Sequence, residues 1–570
     1  MGQKIIVVGG VALGPKAACR CMRLAPDSEI TLFDENSLIS YGGCGIPFFV
    51  GGDVDNVKEL CSTPYQTLRD PSYFRDMKGF EVKTNTRVTA VDRKAKTVST
   101  KNLLTGEEAT YPYDKLVLAT GARPRPADVP GAELKNVFTL TKLEAADAIR
   151  HLMEGRKVDS AVVVGGGFIG LEAAVAMADQ WGVKVSVVEM MDQVLPGVLS
   201  KTLSDMARHD LESNDVSVFT GEKVLRMEGA DGKVAKVVTD KREIEAQLVI
   251  YSTGFLPNGQ LAKDAGLEVT SRGAIVVNEY MQTSDPDIYA GGDCCSIKNL
   301  ITNEQGYLPL GSMANRQGRV IGTNLAGGSA TFKGYVGTWA VKLFKKAFCG
   351  VGMTPEMARR SGFDAIGVLV EQLDKAHFYP QHDITALELV VEKGTKRVLG
   401  LQGSSANPDA LKARIDPVAA LLQHIKPTVE DISTLEAAYA PPFAAAMDVI
   451  NAVGNAAENV LEGRCQVLTA GEFAELWKNR DKNNYFFIDA RPQKAGDAVQ
   501  AKHPDWHAIS LEAIHTRWKE VPTDRPVAII CNTGLRSYDA VLCLARHGIT
   551  NVKHTMGGMQ AFLATGGEVK

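Results

Sequence analysis

Short apolar runs alternate along this chain with amphipathic stretches, and glycines close many of the runs. The first run, residues 5–8, passes through Gly9-Gly10-Val11-Ala12-Leu13-Gly14 into a helical pattern and then into a second run, 29–33, ending at Asp34. Strand, glycine turn, helix and strand make a βαβ unit. Its helix N-terminus suits a pyrophosphate, and an acid about 20 residues on suits a ribose hydroxyl. Val11 occupies the middle glycine position of the fingerprint, so a tight strand–helix turn without a ligand is the competing reading. A second unit satisfies the fingerprint in full: the apolar run 161–164, then Gly165-Gly166-Gly167-Phe168-Ile169-Gly170, a helix over 171–180, and a strand over 184–188 ending at Glu189. Glu189 would bond a 2′-hydroxyl and repel a 2′-phosphate, and no arginine follows at 190–193, so NADH is favoured over NADPH. Residues 161–178 are apolar enough to resemble a membrane span, but Gly165, Gly167, Gly170 and Glu172 argue for a buried βα unit.

Between and beyond these units the pattern changes. A strand within 111–124 ends in Ala119-Thr120-Gly121-Ala122-Arg123-Pro124, and a short strand ends in Gly291-Gly292-Asp293, a turn that can put a carboxylate on a sugar or ribitol hydroxyl. Residues 327–455 carry strands at 365–370 and 387–391 and a helix near 417–424. Residues 454–464 are low in hydrophobicity and mark a boundary. The remainder alternates strand and helix again, with strands at 485–489 and 525–531, a loop to Ser537 and a helix at 538–547.

Length and composition narrow the classes. The chain has 570 residues, enough for roughly three to five domains. Its 45% hydrophobic and 23% charged content is that of a soluble globular protein. A net charge of −4 argues against nucleic-acid or anionic-membrane binding. Ten cysteines lie scattered, without disulfide-scaffold or Cys-x-x-Cys metal spacing, which indicates a reducing cytoplasmic compartment and no metal site. A strand so close to Met1 leaves no room for a leader.

Two cysteines stand apart from the rest. Cys44 lies in Ser40-Tyr41-Gly42-Gly43-Cys44-Gly45-Ile46-Pro47. There glycines let the backbone approach a flat ligand, and a helix N-terminus or cofactor can hold a thiolate. The alternative is a small buried residue in a glycine turn. Cys531 ends a strand and opens Cys531-Asn532-Thr533-Gly534-Leu535-Arg536-Ser537, a loop whose backbone N–H groups and Arg536 suit a thiolate or anionic sulfur. Adjacent Cys294 and Cys295 read as small buried residues. Lys16, Arg20 and Arg23 share one helix face and form either a solvated stripe or a polyanion site.

The motif order (9–14, Cys44, 119–122, 165–170, 291–293) resembles the two-dinucleotide flavoprotein disulfide reductases over residues 1 to about 455. Phe49 stands where most members carry a second cysteine. In that, the chain is similar to the coenzyme A-disulfide reductase and NADH-dependent persulfide reductase branch. The tail resembles a rhodanese domain in its Cys531 loop, in Asp489-Ala490-Arg491 and in Gly557-Gly558. The resemblance implies an α/β chain with two Rossmann-like domains. The FAD domain is residues 1–148 with 248–326, and the NAD(H) domain is 149–247. An α+β dimerisation domain at 327–455, a linker at 456–465 and an α/β rhodanese domain at 466–570 follow.

The resemblance also implies roles. FAD is held tightly at Gly9, Gly14, Asp34, Thr120, Gly121 and Asp293, and NADH visits Gly165, Gly167, Gly170 and Glu189 as co-substrate. Cys44 is the redox thiol, Cys531 and Arg536 handle sulfane sulfur, and Tyr379 and Tyr439 reach the partner subunit's active site in a homodimer. Coenzyme A is implied as the bound thiol, its phosphates at Lys16, Arg20, Arg23 and Arg75, with Ser40, Gly43 and Asn315 nearer the pantetheine. The chain departs from the branch at Gly43 (asparagine), Phe378 (tyrosine) and Met447 (lysine), so another thiol competes with coenzyme A. The implied reaction is NADH-dependent reduction of persulfides, polysulfides or CoA-type disulfides. The alternatives are an NADH oxidase or peroxidase cycling through Cys44 sulfenic acid, and a redox-sensing sulfur relay that does not turn over. The resembled peroxidases carry a histidine in the first glycine turn, where this chain has Val11, Ala12 and Leu13.

Overall fold

The computed structural model describes residues 2–569, which fall into two compact units. One comprises the chain to Val188 together with Lys223–Tyr335, and the other Glu189–Glu222 together with the chain from Val336 onward.

In the first unit the apolar run becomes the strand Lys4–Val8 at the centre of a five-stranded parallel sheet. The order is Ile288–Ala290, Lys115–Leu118, Lys4–Val8, Glu29–Phe33, Glu81–Lys83. Ile5, Val7, Leu32, Leu116 and Ile288 are wholly buried, as a parallel sheet covered on both faces requires. Val8 pairs with Phe33 and with Leu118, and Leu118 pairs with Ala290. The carboxyl ends are therefore level, and Gly9, Asp34, Ala119 and Gly291 emerge together at the edge where open α/β sheets bind ligands. The helix Leu13–Leu24 crosses Gly311–Leu325 at close range because Gly318 and Gly322 lack side chains. A Cβ on Gly322 would lie 2.4 Å from Ala17 O. A second parallel set joins Ser160–Val164 to Lys184–Glu189 on one side and to Leu248–Tyr251 on the other. The apolar stretch near 161–178 is thus a buried strand and the helix Phe168–Trp181. Among the described residues no helix is long and apolar enough to cross a membrane.

The second unit contains an antiparallel sheet in the order Trp339–Leu343, Lys346–Gly352, Val398–Ser405, Ile384–Glu392, Ala365–Leu373. The helix expected near 417–424 begins earlier and spans Pro408–His424. Asn407 caps it, and Pro417 sits inside the helix at the cost of one backbone bond instead of opening it. The low-hydrophobicity stretch at 454–464 lies mostly in the helix Val449–Leu461, capped by Asp448. A five-stranded parallel sheet follows, ordered Gln466–Leu468, Val552–Thr555, Val527–Ile530, Phe486–Asp489, Trp506–Ala508, and Cys531 emerges from its central strand. Here too the next helix starts earlier than expected, at Leu535. Gly534, in the left-handed region at φ +103, makes the turn, so Arg536 and Ser537 belong to the first helical turn.

The loops that carry Tyr379 and Tyr439 are tied to one buried cation. Arg414 donates 2.6 Å to Asp448 Oδ2, 3.1 Å to Asp374 O and 3.3 Å to Phe443 O, and both members of its ion pair are less than a tenth exposed. Arg414→Leu leaves Asp448 buried without a counter-charge, a loss of about 3 kcal/mol or more. Thermal melting checks it: the transition of this unit should fall by several degrees.

Candidate active site

Cys44 lies in a single 3-10 turn, Gly43–Gly45, that leads into the helix Ile46–Gly51. The residue is exposed, which removes the reading of a small buried residue in a turn. The first turn of the helix Gly311–Leu325 faces it: a Cβ on Gly311 would lie 3.8 Å from Cys44 Sγ. Asn315, one turn along, bonds back to Gly311 O at 2.9 Å. The polypeptide does not hold a thiolate here. Partial enclosure pushes the thiol up, and the charges of Glu172 and Asp293 push it further. Phe49 is buried beneath the Arg150 guanidinium, which also bonds Phe49 O at 2.7 Å, so the position of the usual second cysteine is core.

The first dinucleotide cradle has no room for side chains. Gly9, at φ +110, would bring a Cβ within 2.1 Å of Ala119 O, and Gly14 would bring one within 2.0 Å of Gly9 O. Asp34 is buried and fastens the turn, accepting from Gly10 N at 2.7 Å and from Asn36 N at 2.8 Å. Thr120 Oγ1 donates to Asn258 O at 2.6 Å, and Asn258 Nδ2 returns a bond to Thr120 O at 2.9 Å. Asn258 was not legible as a site residue; this reciprocal pair keeps Gly121, at φ +64, open on its ligand side. Asp293 follows Gly292, whose N–H is held by Gln317 Oε1 at 2.7 Å. Burial alone pushes its carboxyl up to about 6, and among the described residues no protein donor satisfies it. A cradle that excludes Cβ atoms, with an unsatisfied carboxylate at its far end, fits a flavin dinucleotide and its ribitol hydroxyls.

The second cradle repeats the geometry. Gly165, at φ +107, and Gly170 are pressed against backbone, whereas Gly167 has open space where its side chain would be and caps Phe168–Trp181. That opening admits a pyrophosphate to the helix N-terminus. Glu189 closes its strand and accepts from Met191 N at 2.8 Å. Glu172, on the same helix as Gly170, was singled out only as a polar interruption. Burial lifts it to about 7.

Lys16 and Arg23 are exposed on their helix, and Arg20 is braced by a 3.1 Å bond to Thr323 Oγ1. Ser40 is buried at φ +51 and donates its N–H to Gly10 O at 2.8 Å, linking the Cys44 loop to the first cradle. Gly43 is exposed beside Cys44. Arg75 is forked onto neighbouring Asp76 at 2.8 and 3.1 Å, so part of its donor set is already engaged. In the second unit Tyr439, Phe443 and Met447 are all more than half exposed on one loop, while Tyr379 is half-buried under Lys375. Cys294 and Cys295 are buried, as expected.

Cys531 is buried, and Gly534 N–H donates to its Sγ at 3.1 Å. Arg536 has no ion-pair partner among the described residues. Asp489 is fully buried, bonded by Arg491 at 2.7 Å and by Trp506 Nε1 at 2.9 Å. Two residues the sequence did not single out complete this pocket, Ser537 (3.5 Å from Cys531 Sγ) and His554 (3.4 Å from Ser537 Oγ). The turn Met556-Gly557-Gly558 backs the loop and also abuts the antiparallel sheet. Leu369 N–H donates to Met556 Sδ at 3.4 Å, and a Cβ on Gly557 would lie 2.9 Å from Leu369 Cδ2.

Glu172 yields a test of its environment. A carboxyl raised from the ordinary value of about 4.3 to about 7 gives up stability as pH climbs through that interval. In flavin-free protein, Glu172→Gln should raise the melting temperature by a few degrees at pH 8 and leave it unchanged near pH 4. Equal shifts at both values would contradict the assignment.

Comparison with known proteins agrees with this fold. The family model for pyridine nucleotide-disulphide oxidoreductases matches residues 3–318, that family's dimerisation domain matches 340–449, and a rhodanese-like domain matches 472–565. An NAD(P)H sulfur oxidoreductase (CoA-dependent) from Pyrococcus abyssi is 36% identical over 78% of this chain and 96% of its own. A protein named NADH oxidase from Enterococcus faecalis is 34% identical over 80% of this chain and 99% of its own. The solved structure of an NAD-dependent persulfide reductase from A. fulgidus is 37% identical, with a TM-score of 0.92 over 98% of this chain and 99% of its own. The chain therefore belongs to the pyridine nucleotide-disulphide oxidoreductases, a family that works with FAD and a nicotinamide dinucleotide, and it carries a rhodanese-like domain behind the family's dimerisation domain.

Proposed function

We propose that this protein is an FAD-dependent, NADH-linked reductase of persulfides, polysulfides or CoA-type disulfides that works through Cys44, while Cys531 handles sulfane sulfur. The observation that carries the reading is a single exposed thiol in a glycine turn, with buried Phe49 at the place of a resolving cysteine. One thiol near a flavin site can form a mixed disulfide or persulfide with what diffuses in, but cannot close an internal disulfide with position 49.

As thiolate, Cys44 attacks one sulfur of R–S–S–R′, a bond forms between Cys44 and that sulfur, and the other sulfur leaves as a thiolate. Bound FAD supplies the passage of two electrons from NADH to that adduct. The chain's own part is placement. Gly9, Gly14, Asp34, Thr120, Gly121 and Asp293 seat the flavin dinucleotide, and Gly165, Gly167, Gly170 and Glu189 seat NADH. Enclosure and the charges of Glu172 and Asp293 oppose negative charge at Cys44, and Glu172, raised to about 7, is suited to hold a proton beside it.

Lys16, Arg20 and Arg23 offer phosphate-binding charge for coenzyme A, with Ser40, Gly43 and Asn315 along the path to Cys44. Arg75 would join them with the donors that its pair with Asp76 leaves free. Tyr379 and Tyr439 belong to the partner's site in a homodimer, in keeping with the exposed loop that carries Tyr439, Phe443 and Met447. The domain limits proposed are 1–148 with 248–326, 149–247, 327–455 and 466–570.

Steady-state NADH oxidation tests the reading. Cys44→Ser should abolish reduction of every sulfur substrate with FAD retained, and NADH consumption sustained by oxygen alone in the parent protein would favour the oxidase alternative. Cys531→Ser should spare small diffusible disulfides and lower turnover with sulfane donors at least several-fold. Loss of neither activity in the second variant would remove the tail from the reaction.

A further inference from the structure

We propose that His554 is a positioning residue for sulfur chemistry at Cys531, acting through the hydroxyl of Ser537. The inference rests on the reading of Cys531 as a sulfur-carrying thiol. Ser537 is fully buried in the first turn of the helix Leu535–Arg546, and His554 comes from the neighbouring strand Val552–Thr555. The Ser537 Oγ lies 2.9 Å from Gly534 O, 3.5 Å from Cys531 Sγ and 3.4 Å from His554 Nδ1. A hydroxyl has one proton and two lone pairs for these three neighbours. Donation to Gly534 O, the shortest contact, leaves the lone pairs for the thiol S–H and for Nδ1. The hydrogen on His554 therefore sits on Nδ1. Burial agrees, since it pushes the imidazole down to about 4 and keeps the ring neutral with a single proton to place.

Ionisation of Cys531 rearranges this set. The sulfur no longer donates, so the hydroxyl can turn from Gly534 O to Sγ while Nδ1–H continues to donate to Oγ. The chain from Nδ1–H through Oγ–H to the thiolate then runs in one direction, each bond polarising the next. Gly534 N–H, 3.1 Å from Sγ, is the second donor to the same sulfur. Arg536 contributes charge from the same loop, and the ring of Tyr538 packs 6.0 Å from that of His554. In taking sulfur from a persulfide R–S–SH, the Cys531 thiolate forms a bond to the outer sulfur, the R–S–S bond breaks, and R–S⁻ leaves. The proton stays on the transferred sulfur, and no outside oxidant or reductant enters. What His554 sets is the orientation of the hydroxyl that supports the attacking thiolate.

The test reads Cys531 directly in the full-length holoenzyme. Its carbamidomethylation by iodoacetamide at neutral pH is followed peptide by peptide with mass spectrometry, which separates it from the other cysteines. A hydrogen bond to a charged group predicts that Ser537→Ala, which removes the donor to the thiolate, slows alkylation of Cys531 about ten-fold. His554→Leu, which leaves that hydroxyl in place without its donor, should slow it by a smaller factor, about three-fold, and the double variant should fall no further than Ser537→Ala alone. His554→Asn, whose amide can donate from the place of Nδ1, should recover most of the rate, and sulfur transfer from thiosulfate to cyanide should follow the same order. An unchanged rate in His554→Leu, multiplicative losses in the double variant, or no recovery by asparagine overturns the inference. Should His554→Leu not fold, Ser537→Ala must still slow alkylation and His554→Asn must not. Alkylation needs no sulfur substrate. A Cys531→Ser variant that retains transfer from thiosulfate would therefore sink the sulfur-carrier reading and leave the hydrogen-bond chain to be judged separately.

Discussion

Steric exclusion of Cβ atoms at a few turns is the constraint on which this structure depends. At Gly9, Gly14, Gly165 and Gly170 the nearest backbone lies about 2 Å from where a side chain would begin, so any other residue would force strand and helix apart. The same rule operates between the helices Leu13–Leu24 and Gly311–Leu325, where Gly318 and Gly322 let Lys16 and Arg20 lie flat against the neighbouring helix. It recurs at Gly557-Gly558 behind the Cys531 loop. Each close approach aims backbone N–H groups or a helix end at one point, and the chemistry-bearing side chains are hung around those points.

The sulfurs of Cys44 and Cys531 occupy opposite environments on this common plan. Cys44 is exposed yet partly enclosed, has no cation beside it among the described residues and faces two carboxyls that oppose its ionisation. Cys531 is enclosed, receives a backbone N–H and stands beside a polar chain that can be reoriented. The first arrangement makes reactivity conditional on what is bound beside the thiol; the second builds the stabilisation into the loop. That division suits a thiol that must react only in the presence of a reductant and one that must hold sulfur in its absence.

Features encoded by neighbouring residues were legible in the sequence. The glycine fingerprints, the acid after each second strand and the Cys531 loop are local patterns, and each is found where its spacing puts it. Element starts were less legible where a residue has two uses. Pro417 reads as a helix opener but lies inside one, and Gly534 opens a helix earlier than its loop suggests. Contacts between distant segments were not legible at all. Nothing near Glu172 tells of Cys44, and nothing near Ser537 tells of His554, because the packing of the helix Ile46–Gly51 on Phe168–Trp181 makes the first pair neighbours and sheet order the second. Arg414 is a further case, a helical cation whose partners Asp374, Phe443 and Asp448 lie far from it in sequence.

The contact of Met556 and Gly557 with Leu369 bears on how sulfur can travel. A module fastened to a sheet through the very turn that supports its reactive loop is no tethered arm, since swinging would strip that loop of its backing. On the proposed reading, cargo on Cys531 is fetched and released by visitors small enough to reach a fixed berth.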